Sequence, residues 1–185
     1  KRMLAYSAIA HAGYILMAFV PYGNAKVAPT AIAAGLFYLV AYALSNFGSW
    51  GVVIALEKAE GKGLEIEDYA GLAKKYPALA VAMTVFMLSL IGFPPTLGMV
   101  GKFYLFRSAL AGGFPGLALI GVVTSLISAY YYLRVVVNMY MKEGDPEVER
   151  EPWLGLTTAL TAVVTVAVSL IPQFLFTLAY TAVMR

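Results

Sequence analysis

The longest apolar segment of the chain, residues 78–111, reads ALAVAMTVFMLSLIGFPPTLGMVGKFYLFRSALA. As one continuous helix it would be roughly 50 Å long, which exceeds the roughly 30 Å thickness of a bilayer core. Near its middle, Pro94 and Pro95 lack the backbone N–H that a helix needs, and their rings clash with the preceding turn. Thr96 follows them and is a suitable N-cap for a new helix. The segment is therefore predicted to be a discontinuous transmembrane helix.

The composition of the whole chain agrees with a membrane location. Of its 185 residues, 61% are hydrophobic and 12% are charged, whereas soluble domains average about 25% charged residues. Four more apolar segments span residues 1–20, 30–56, 117–141 and 155–183, and each is long enough to cross a bilayer. The sequence predicts an all-α integral membrane protein, a single bundle of about five transmembrane helices over residues 1–185.

All ten acidic residues lie in two polar connections, residues 57–77 and 142–152. A carboxylate at the centre of a membrane helix costs about 2.5–3.5 kcal/mol even on a lenient insertion scale, which accounts for this exclusion. In the first connection, apolar residues recur at a spacing that suits a short amphipathic helix on the membrane surface. These residues are Leu64, Ile66, Tyr69, Leu72 and Tyr76.

The basic residues predict an orientation. With five spans, the start of the chain and both polar connections share one side of the membrane. That side carries Lys1, Arg2, Lys58, Lys62, Lys74, Lys75, Lys142 and Arg150, whereas the other side carries only Lys26 and Arg185. Because basic loops stay in the cytoplasm, the start of the chain is predicted to be cytoplasmic and its end to lie outside.

Several functional classes find no support in the sequence. The chain has no cysteine, which excludes disulfides, thiolate metal sites and iron–sulfur ligation within it. Its net charge is +3, but the basic residues form no stripe with interleaved aromatics, so nucleic-acid binding is not expected. No phosphate-binding glycine loop, paired carboxylate in a span or metal-ligand spacing is present. We therefore predict no catalytic residue and no metal ligand.

Lys102 is the only lysine deep within an apolar segment, and it follows the predicted break. Broken helices at membrane depth face protein or a water-filled cavity, and they recur at ion sites of transporters. In one interpretation the lysine extends its ammonium to the membrane interface. In the other it is buried, where desolvation disfavours the charged form of an amine. It then exchanges protons and acts as a proton relay.

Other polar side chains in the spans are weaker candidates. His11, the only histidine, is either a proton carrier or a neutral ring bound to a neighbouring helix. A polar stripe on the second segment lines a water path or joins helices, and it consists of Tyr38, Tyr42, Ser45, Asn46 and Ser49. Tyr131 either belongs to the same lining or packs between helices. Arg107 and Arg134 are predicted to reach opposite interfaces.

Three motifs in order carry a family resemblance. They are KRMLAYSAIAHAGY at residues 1–14, MLSLIGFPPTLGMVGKF at residues 87–103 and YYYLRV at residues 130–135. All three are similar to stretches of the antiporter-like membrane subunits of respiratory complex I (NADH-quinone oxidoreductase), and they resemble the subunit N branch most. The resemblance covers essentially the whole chain. Ala8 departs from it, since the family commonly has Ser there.

The resemblance implies that this chain is the C-terminal part of a longer subunit and corresponds to its helices ten to fourteen. It implies proton translocation coupled at a distance to quinone reduction, without redox chemistry in this chain. Lys102 matches the family's helix-twelve lysine and Lys1 its helix-ten lysine, so these two and His11 are the expected proton-transfer residues. A Glu and a Lys of the family's first repeat would lie upstream of Lys1.

The resemblance also implies cofactors, partners and a location. The complex uses NADH, FMN, iron–sulfur clusters and a quinone in other subunits, so no cofactor is expected in this chain. Its expected partners are other membrane subunits of the complex and the lipid bilayer. The expected location is a bacterial inner membrane, with the C-terminus of the chain in the periplasm. Two alternatives remain open. One is a subunit of an Mrp-type sodium/proton antiporter or a membrane-bound hydrogenase, and the other is a purely structural bundle.

Overall fold

A computed structural model describes residues 1–57, 63–148 and 151–184. Within these ranges the chain is helical and contains no strand. The α-helices are α1 (Arg2–Leu16), α2 (Ala28–Leu56), α3 (Leu72–Lys75), α4 (Pro77–Ile91), α5 (Leu97–Ala111), α6 (Pro115–Met141), α7 (Pro152–Leu170) and α8 (Pro172–Val183). Two 3-10 helices cover Met17–Gly23 and Glu67–Tyr69. The predicted all-α fold is confirmed.

Four helical stretches are long and apolar enough to cross a membrane. They are Arg2–Gly23, in which a 3-10 helix continues α1, and the helices α2, α6 and α7. Helices α4 and α5 have 15 residues each, or about 22 Å, so neither alone matches the thickness of a bilayer core. Together they form the discontinuous span, and the chain is a multi-pass membrane protein.

The break between α4 and α5 lies at the two prolines. Helix α4 ends at Gly92, whose φ of +82° and ψ of 42° are left-handed and suit glycine. Pro94 and Pro95 follow in a non-helical turn, and the peptide bond between them is cis. Thr96 then caps α5, because its hydroxyl accepts a hydrogen bond from the backbone N–H of Met99. The predicted discontinuity is confirmed.

The last apolar segment differs from the prediction of one helix over residues 155–183. It forms two helices, α7 and α8, and Ile171 between them has a non-helical φ of −130° and ψ of 61°. Pro172 follows directly, and a residue that precedes proline is disfavoured in the helical region. The single helix was therefore a wrong prediction, for the same stereochemical reason that breaks the third segment.

Helix α2 lies at the centre of the bundle. It packs against α4, α5, α7 and α8, and its buried residues occupy more than one face. Half of its most apolar window is buried, compared with 11% for α7. Since α7 is equally apolar, most of its surface is available to lipid or to other parts of an assembly. The polar side chains of α2 are thereby held inside the protein.

Ion pairs join the start of the chain and both polar connections at one end of the bundle, and the side of the membrane on which this end lies stays a prediction. They are Lys1–Glu57, Arg2–Glu65, Lys74–Glu143, Lys75–Asp145 and Arg134–Glu67. Arg134 reaches this end as expected for an arginine near an interface. The basic residues Lys58, Lys62, Arg150 and Arg185, which entered the predicted orientation, lie outside the described residues.

The first polar connection does not form one continuous amphipathic helix in its described part. It contains the 3-10 helix Glu67–Tyr69 and the single turn of α3, which are separated by Gly71 at a left-handed φ of +73°. Tyr69 and Leu72 are buried in the same hydrophobic cluster as Leu4. The predicted apolar face therefore packs on the bundle.

Candidate functional site

Lys102 is buried, with 4% of its surface exposed, on the face of α5 that meets the break. Its Nζ atom donates hydrogen bonds to the carbonyl oxygens of Leu90 at 3.0 Å and Ile91 at 2.8 Å. It also donates to the hydroxyl of Ser125 on α6 at 2.7 Å. The ammonium therefore does not extend to the membrane interface, and of the two interpretations the structure agrees with burial.

The two carbonyl acceptors exist because α4 ends early. The last carbonyls of a helix have no partner within it. The N–H groups of the next two residues bond carbonyls that lie earlier in α4. Gly92 donates to Leu88 and Ser89, and Phe93 donates to Leu88. This leaves the carbonyls of Leu90 and Ile91 to Lys102. A cation at a helix C-terminus is also favoured by the helix dipole.

The surroundings of the Lys102 amine are polar but carry no opposite charge. Its three hydrogen-bond acceptors are neutral, and within the described residues no acidic side chain forms an ion pair with it. The ring of Tyr14 lies 4.8 Å from Nζ at its centroid, which adds a cation–π contact. The charge of a protonated Lys102 is therefore balanced by dipoles and an aromatic face rather than by a carboxylate.

Two glycines make the close approach of α4 and α5 possible. A Cβ atom on Gly98 would overlap the carbonyl of Ser89, and a Cβ atom on Gly92 would lie 3.0 Å from Cδ of Lys102. The side chain of Lys102 thus runs through space that the missing side chain of Gly92 leaves open. The small residues around the break hold the amine against the end of α4.

His11 lies within the bundle on the buried face of α1. Its Nδ1 atom is 2.7 Å from the hydroxyl of Tyr38, and its Nε2 atom is 3.0 Å from the hydroxyl of Tyr132. In a neutral imidazole one nitrogen donates and the other accepts, so two hydroxyls satisfy the ring in either tautomer. Tyr132 also hydrogen-bonds Ser7, one turn earlier on α1. Three helices therefore meet at His11.

Tyr14 contacts both His11 and Lys102. Its ring makes an edge contact with His11 at a centroid distance of 5.9 Å, and the same ring faces the Lys102 amine. Its hydroxyl is 2.9 Å from that of Thr124 on α6. The structure thus brings His11 and Lys102, two residues singled out from the sequence, into contact with the same tyrosine.

The predicted polar stripe of α2 divides into two parts. Tyr38 hydrogen-bonds His11, and Tyr42 stacks on the same ring at 4.7 Å. Ser45 donates to Ser89 on α4 at 2.8 Å, whereas Ser49 donates only to its own helix. The tyrosines therefore belong to the His11 cluster, and Ser45 joins two helices next to the break.

Two further candidates lie apart from the Lys102 amine. Lys1 forms an ion pair of 2.5 Å with Glu57 at the polar end of the bundle, and both side chains are partly exposed. Tyr131 is half-buried, and its ring packs on Tyr132 at 4.5 Å. Neither residue touches Lys102. The structure groups Lys102, Tyr38 and Tyr42 around Tyr14 and His11, and it places Lys1 beside Glu57.

Sequence reasoning missed the partners of Lys102. The carbonyls of Leu90 and Ile91 had an indirect signal, because Pro94 and Pro95, four residues further on, lack the N–H groups that would bond them in a continuous helix. Ser125 had a signal as well, since Ser125, Ser128 and Tyr132 recur at a spacing that places them on one face of α6. A polar face on an otherwise apolar membrane helix indicates contact with a polar interior.

The chemistry available at the site is proton exchange. Lysine, histidine, tyrosine and serine side chains lie within hydrogen-bonding or ring contact of one another. Among the described residues no group of three or more His, Asp or Glu side chains is placed to hold a metal ion. The arrangement offers titratable groups in a buried polar cluster.

Residues 1–128 match the family described as NADH:quinone oxidoreductase/Mrp antiporter, TM. Subunit N of the NADH-quinone oxidoreductase of Chloroflexus aggregans is 49% identical over 182 residues, which are 96% of this chain and 36% of that protein. The corresponding subunit N of Trichlorobacter lovleyi is 49% identical over 174 residues, 93% of this chain and 34% of that protein. The chain spans about a third of the length of these relatives.

Two solved structures are similar to the bundle. A chain of respiratory complex I from Thermus thermophilus, solved with bound aureothin, has a TM-score of 0.80 and 35% identity. The match covers 95% of this chain and 39% of that chain. A chain of the Mrp complex from Dietzia sp. DQ12-45-1b has a TM-score of 0.85 and 24% identity, covering 97% of this chain and 41% of that one. The second likeness shows a shared fold alone.

Proposed function

The chain belongs to the NADH:quinone oxidoreductase/Mrp antiporter family of membrane proteins, and we propose that it is part of subunit N of a proton-translocating NADH-quinone oxidoreductase. The motifs that suggested this family therefore led to a correct assignment. In the proposed role the chain moves protons across the membrane, while quinone reduction takes place in other subunits. The name of the relatives at 49% identity supports the choice of subunit N.

The observation that carries the proposal is the buried Lys102 amine at the end of α4. It has three neutral hydrogen-bond partners, and no carboxylate of the described residues holds its proton in place. A buried amine without a counter-ion is less favourable in its charged form than one in water. Lys102 would therefore release a proton to water that reaches the break and take one up again, with Tyr14 and His11 extending the polar path.

The proposal includes partners and a location. The other membrane subunits of the complex would surround the bundle, and other subunits would hold NADH, FMN, iron–sulfur clusters and the quinone. The chain itself has no cysteine with which to ligate a cluster. We propose a bacterial inner membrane with the ion-paired end of the bundle in the cytoplasm, because lysine and arginine concentrate at that end.

The test compares two lysine variants in the full-length subunit, assembled in its complex and reconstituted in vesicles. Lys102→Met should reduce the initial rate of proton translocation by about a hundred-fold or more, the scale of a positioned proton-transfer group. The control is Lys74→Met, since Lys74 is exposed at the polar end, and it should translocate protons at the original rate. Full translocation by Lys102→Met would contradict the proposal.

A second candidate function follows from the family itself, whose description includes Mrp antiporters. In that case the same buried amine would serve sodium/proton exchange in the absence of NADH oxidation. The same vesicles discriminate between the two functions. Proton movement that requires a sodium gradient and does not respond to NADH and quinone would support the antiporter.

A further inference from the structure

The three partners of the Lys102 amine differ in kind. The carbonyl oxygens of Leu90 and Ile91 can only accept hydrogen bonds, whereas the hydroxyl of Ser125 both accepts and donates. In the structure Ser125 accepts from Lys102 at 2.7 Å and donates to the carbonyl of Ile91 at 3.0 Å. The Ile91 oxygen therefore receives hydrogen bonds from both side chains.

This geometry satisfies the charged form of Lys102 completely. An ammonium has three N–H donors and no acceptor, and three acceptor oxygens lie within 2.7–3.0 Å of Nζ. The hydroxyl hydrogen of Ser125 is directed away from Nζ towards Ile91. Every donor of the two side chains has an acceptor, so the buried charge has no unmade hydrogen bond.

The neutral form of Lys102 needs a different set of partners. An amine has two N–H donors and one lone pair, so it requires two acceptors and one donor. The carbonyls of Leu90 and Ile91 can keep the two N–H groups. Of the three partners, only Ser125 can donate to the lone pair. When its O–H rotates from Ile91 to Nζ, Ile91 still accepts an N–H from Lys102, and no buried polar group is left unpaired.

We propose that Ser125 is the positioning residue that lets Lys102 hold and release a proton in place, by reversing the direction of their hydrogen bond. This inference rests on the proposed function and names the residue on which it depends. The reversal transfers no proton, since Ser125 keeps its own hydrogen throughout. The proton that Lys102 gives up passes to a water molecule at the break, and a water molecule returns it.

The test uses two substitutions of Ser125 with opposite effects on volume and hydrogen bonding. Ser125→Ala removes the hydroxyl with little change in size, and Ser125→Thr keeps the hydroxyl and adds a methyl group. A role in packing alone would make the threonine variant the more damaging one. A role in hydrogen-bond reversal would make the alanine variant the more damaging one. The readout is the initial rate of proton translocation per assembled complex in vesicles.

We expect Ser125→Ala to lower that rate by about ten-fold, the effect of one lost hydrogen bond to a charged group, and Ser125→Thr to retain most of it. Ser108→Ala is the matched control, because Ser108 is a buried serine that donates only to its own helix. It should translocate protons at the original rate. If Ser125→Ala does not assemble, Ser125→Cys replaces it and should show a clear loss of rate, since a thiol is a weak donor and acceptor.

The outcomes separate this inference from the proposed function. If Lys102→Met stops translocation while Ser125→Ala proceeds at the original rate, the inference is overturned and the proposed function stands. A more damaging Ser125→Thr than Ser125→Ala also overturns it, in favour of packing. If Lys102→Met itself translocates fully, the proposed function fails and the inference fails with it.

Discussion

His11 and Tyr132, which are 121 residues apart in the chain, are joined by a hydrogen bond of 3.0 Å between Nε2 and the phenol oxygen. Both side chains are buried, and each has a second partner. His11 binds Tyr38 through Nδ1, and Tyr132 binds Ser7. One pair thus connects α1, α2 and α6, so the polar interior also holds the bundle together.

Tyr132→Phe should destabilise the protein for this reason. The change deletes one hydroxyl and leaves Nε2 of His11 and the hydroxyl of Ser7 without that partner, at a cost of about 1–3 kcal/mol for a buried unsatisfied group. The measurement is the thermal unfolding temperature of the purified complex. Tyr130→Phe is the control, because Tyr130 is 77% exposed and its change should have no effect. Equal unfolding temperatures for both variants would contradict the prediction.

Gly98→Ala should separate α4 from α5. The new Cβ atom would overlap the carbonyl of Ser89, and overpacking of this kind costs about 1–3 kcal/mol. Because α5 carries Lys102, we expect both a lower unfolding temperature and slower proton translocation. Gly116→Ala serves as the comparison, since a Cβ atom there meets nothing within 4 Å. A variant at Gly98 as stable and as active as the one at Gly116 would refute this account of the break.

The ion pair of Glu67 should stabilise the protein at neutral pH and lose this effect in acid. A hydrogen bond from its own backbone N–H and the guanidinium of Arg134 lower the pKa of the Glu67 carboxyl. A lowered pKa contributes stability that is present above the ordinary carboxyl pKa and is lost as pH falls through the folded value. Unfolding temperatures of the original protein and Glu67→Gln should therefore differ at neutral pH and converge in acid. A difference that is independent of pH would argue against this role.

The ion pair of Lys75 should stabilise the protein at neutral pH and lose this effect at alkaline pH. Its hydrogen bond of 2.5 Å to Asp145 raises the pKa of the Lys75 ammonium. The stability from a raised pKa is present below the ordinary value for lysine and is lost as pH rises through the folded value. We expect Asp145→Asn to increase amide hydrogen exchange of residues 142–148 at neutral pH, and this difference from the original protein to shrink as pH rises through the folded pKa of Lys75. Glu143→Gln, at the looser pair with Lys74, should change it less, and the reverse order would contradict the prediction.

The sequence predicted the helices best where a proline, by its own stereochemistry, requires a helix to end. Pro94 and Pro95 interrupt a segment that is too long for one span, so both its length and its prolines indicate the break. Pro172 carried the same signal in a segment, residues 155–183, that is also longer than one span needs, but the high hydrophobicity of the segment led to the prediction of a single helix. The turn at Gly71 was missed because the spacing of the apolar residues around it suited a single helix. In the structure these residues pack against the core from two short helical turns instead.

The sequence predicted the central residue of the site, Lys102, but not the groups that surround it. Lys102 stands out because a lysine inside an apolar segment is rare. Its partners do not stand out, because two of them are backbone carbonyls and the third is a serine 23 residues away. Only the fold brings them to one nitrogen. Lys1, which the family resemblance joined to the same role, forms an ion pair with Glu57, and its part in proton transfer stays a prediction.

Gly92 limits which second changes could restore a protein that carries a substitution at position 92. A side chain at position 92 would strain the left-handed backbone that ends α4 and would also crowd the stem of Lys102. A compensating change that shortens residue 102 would relieve the crowding only, and it would remove the amine as well. Activity lost by a substitution at position 92 should therefore be regained by reversion to glycine and not by a second change at residue 102.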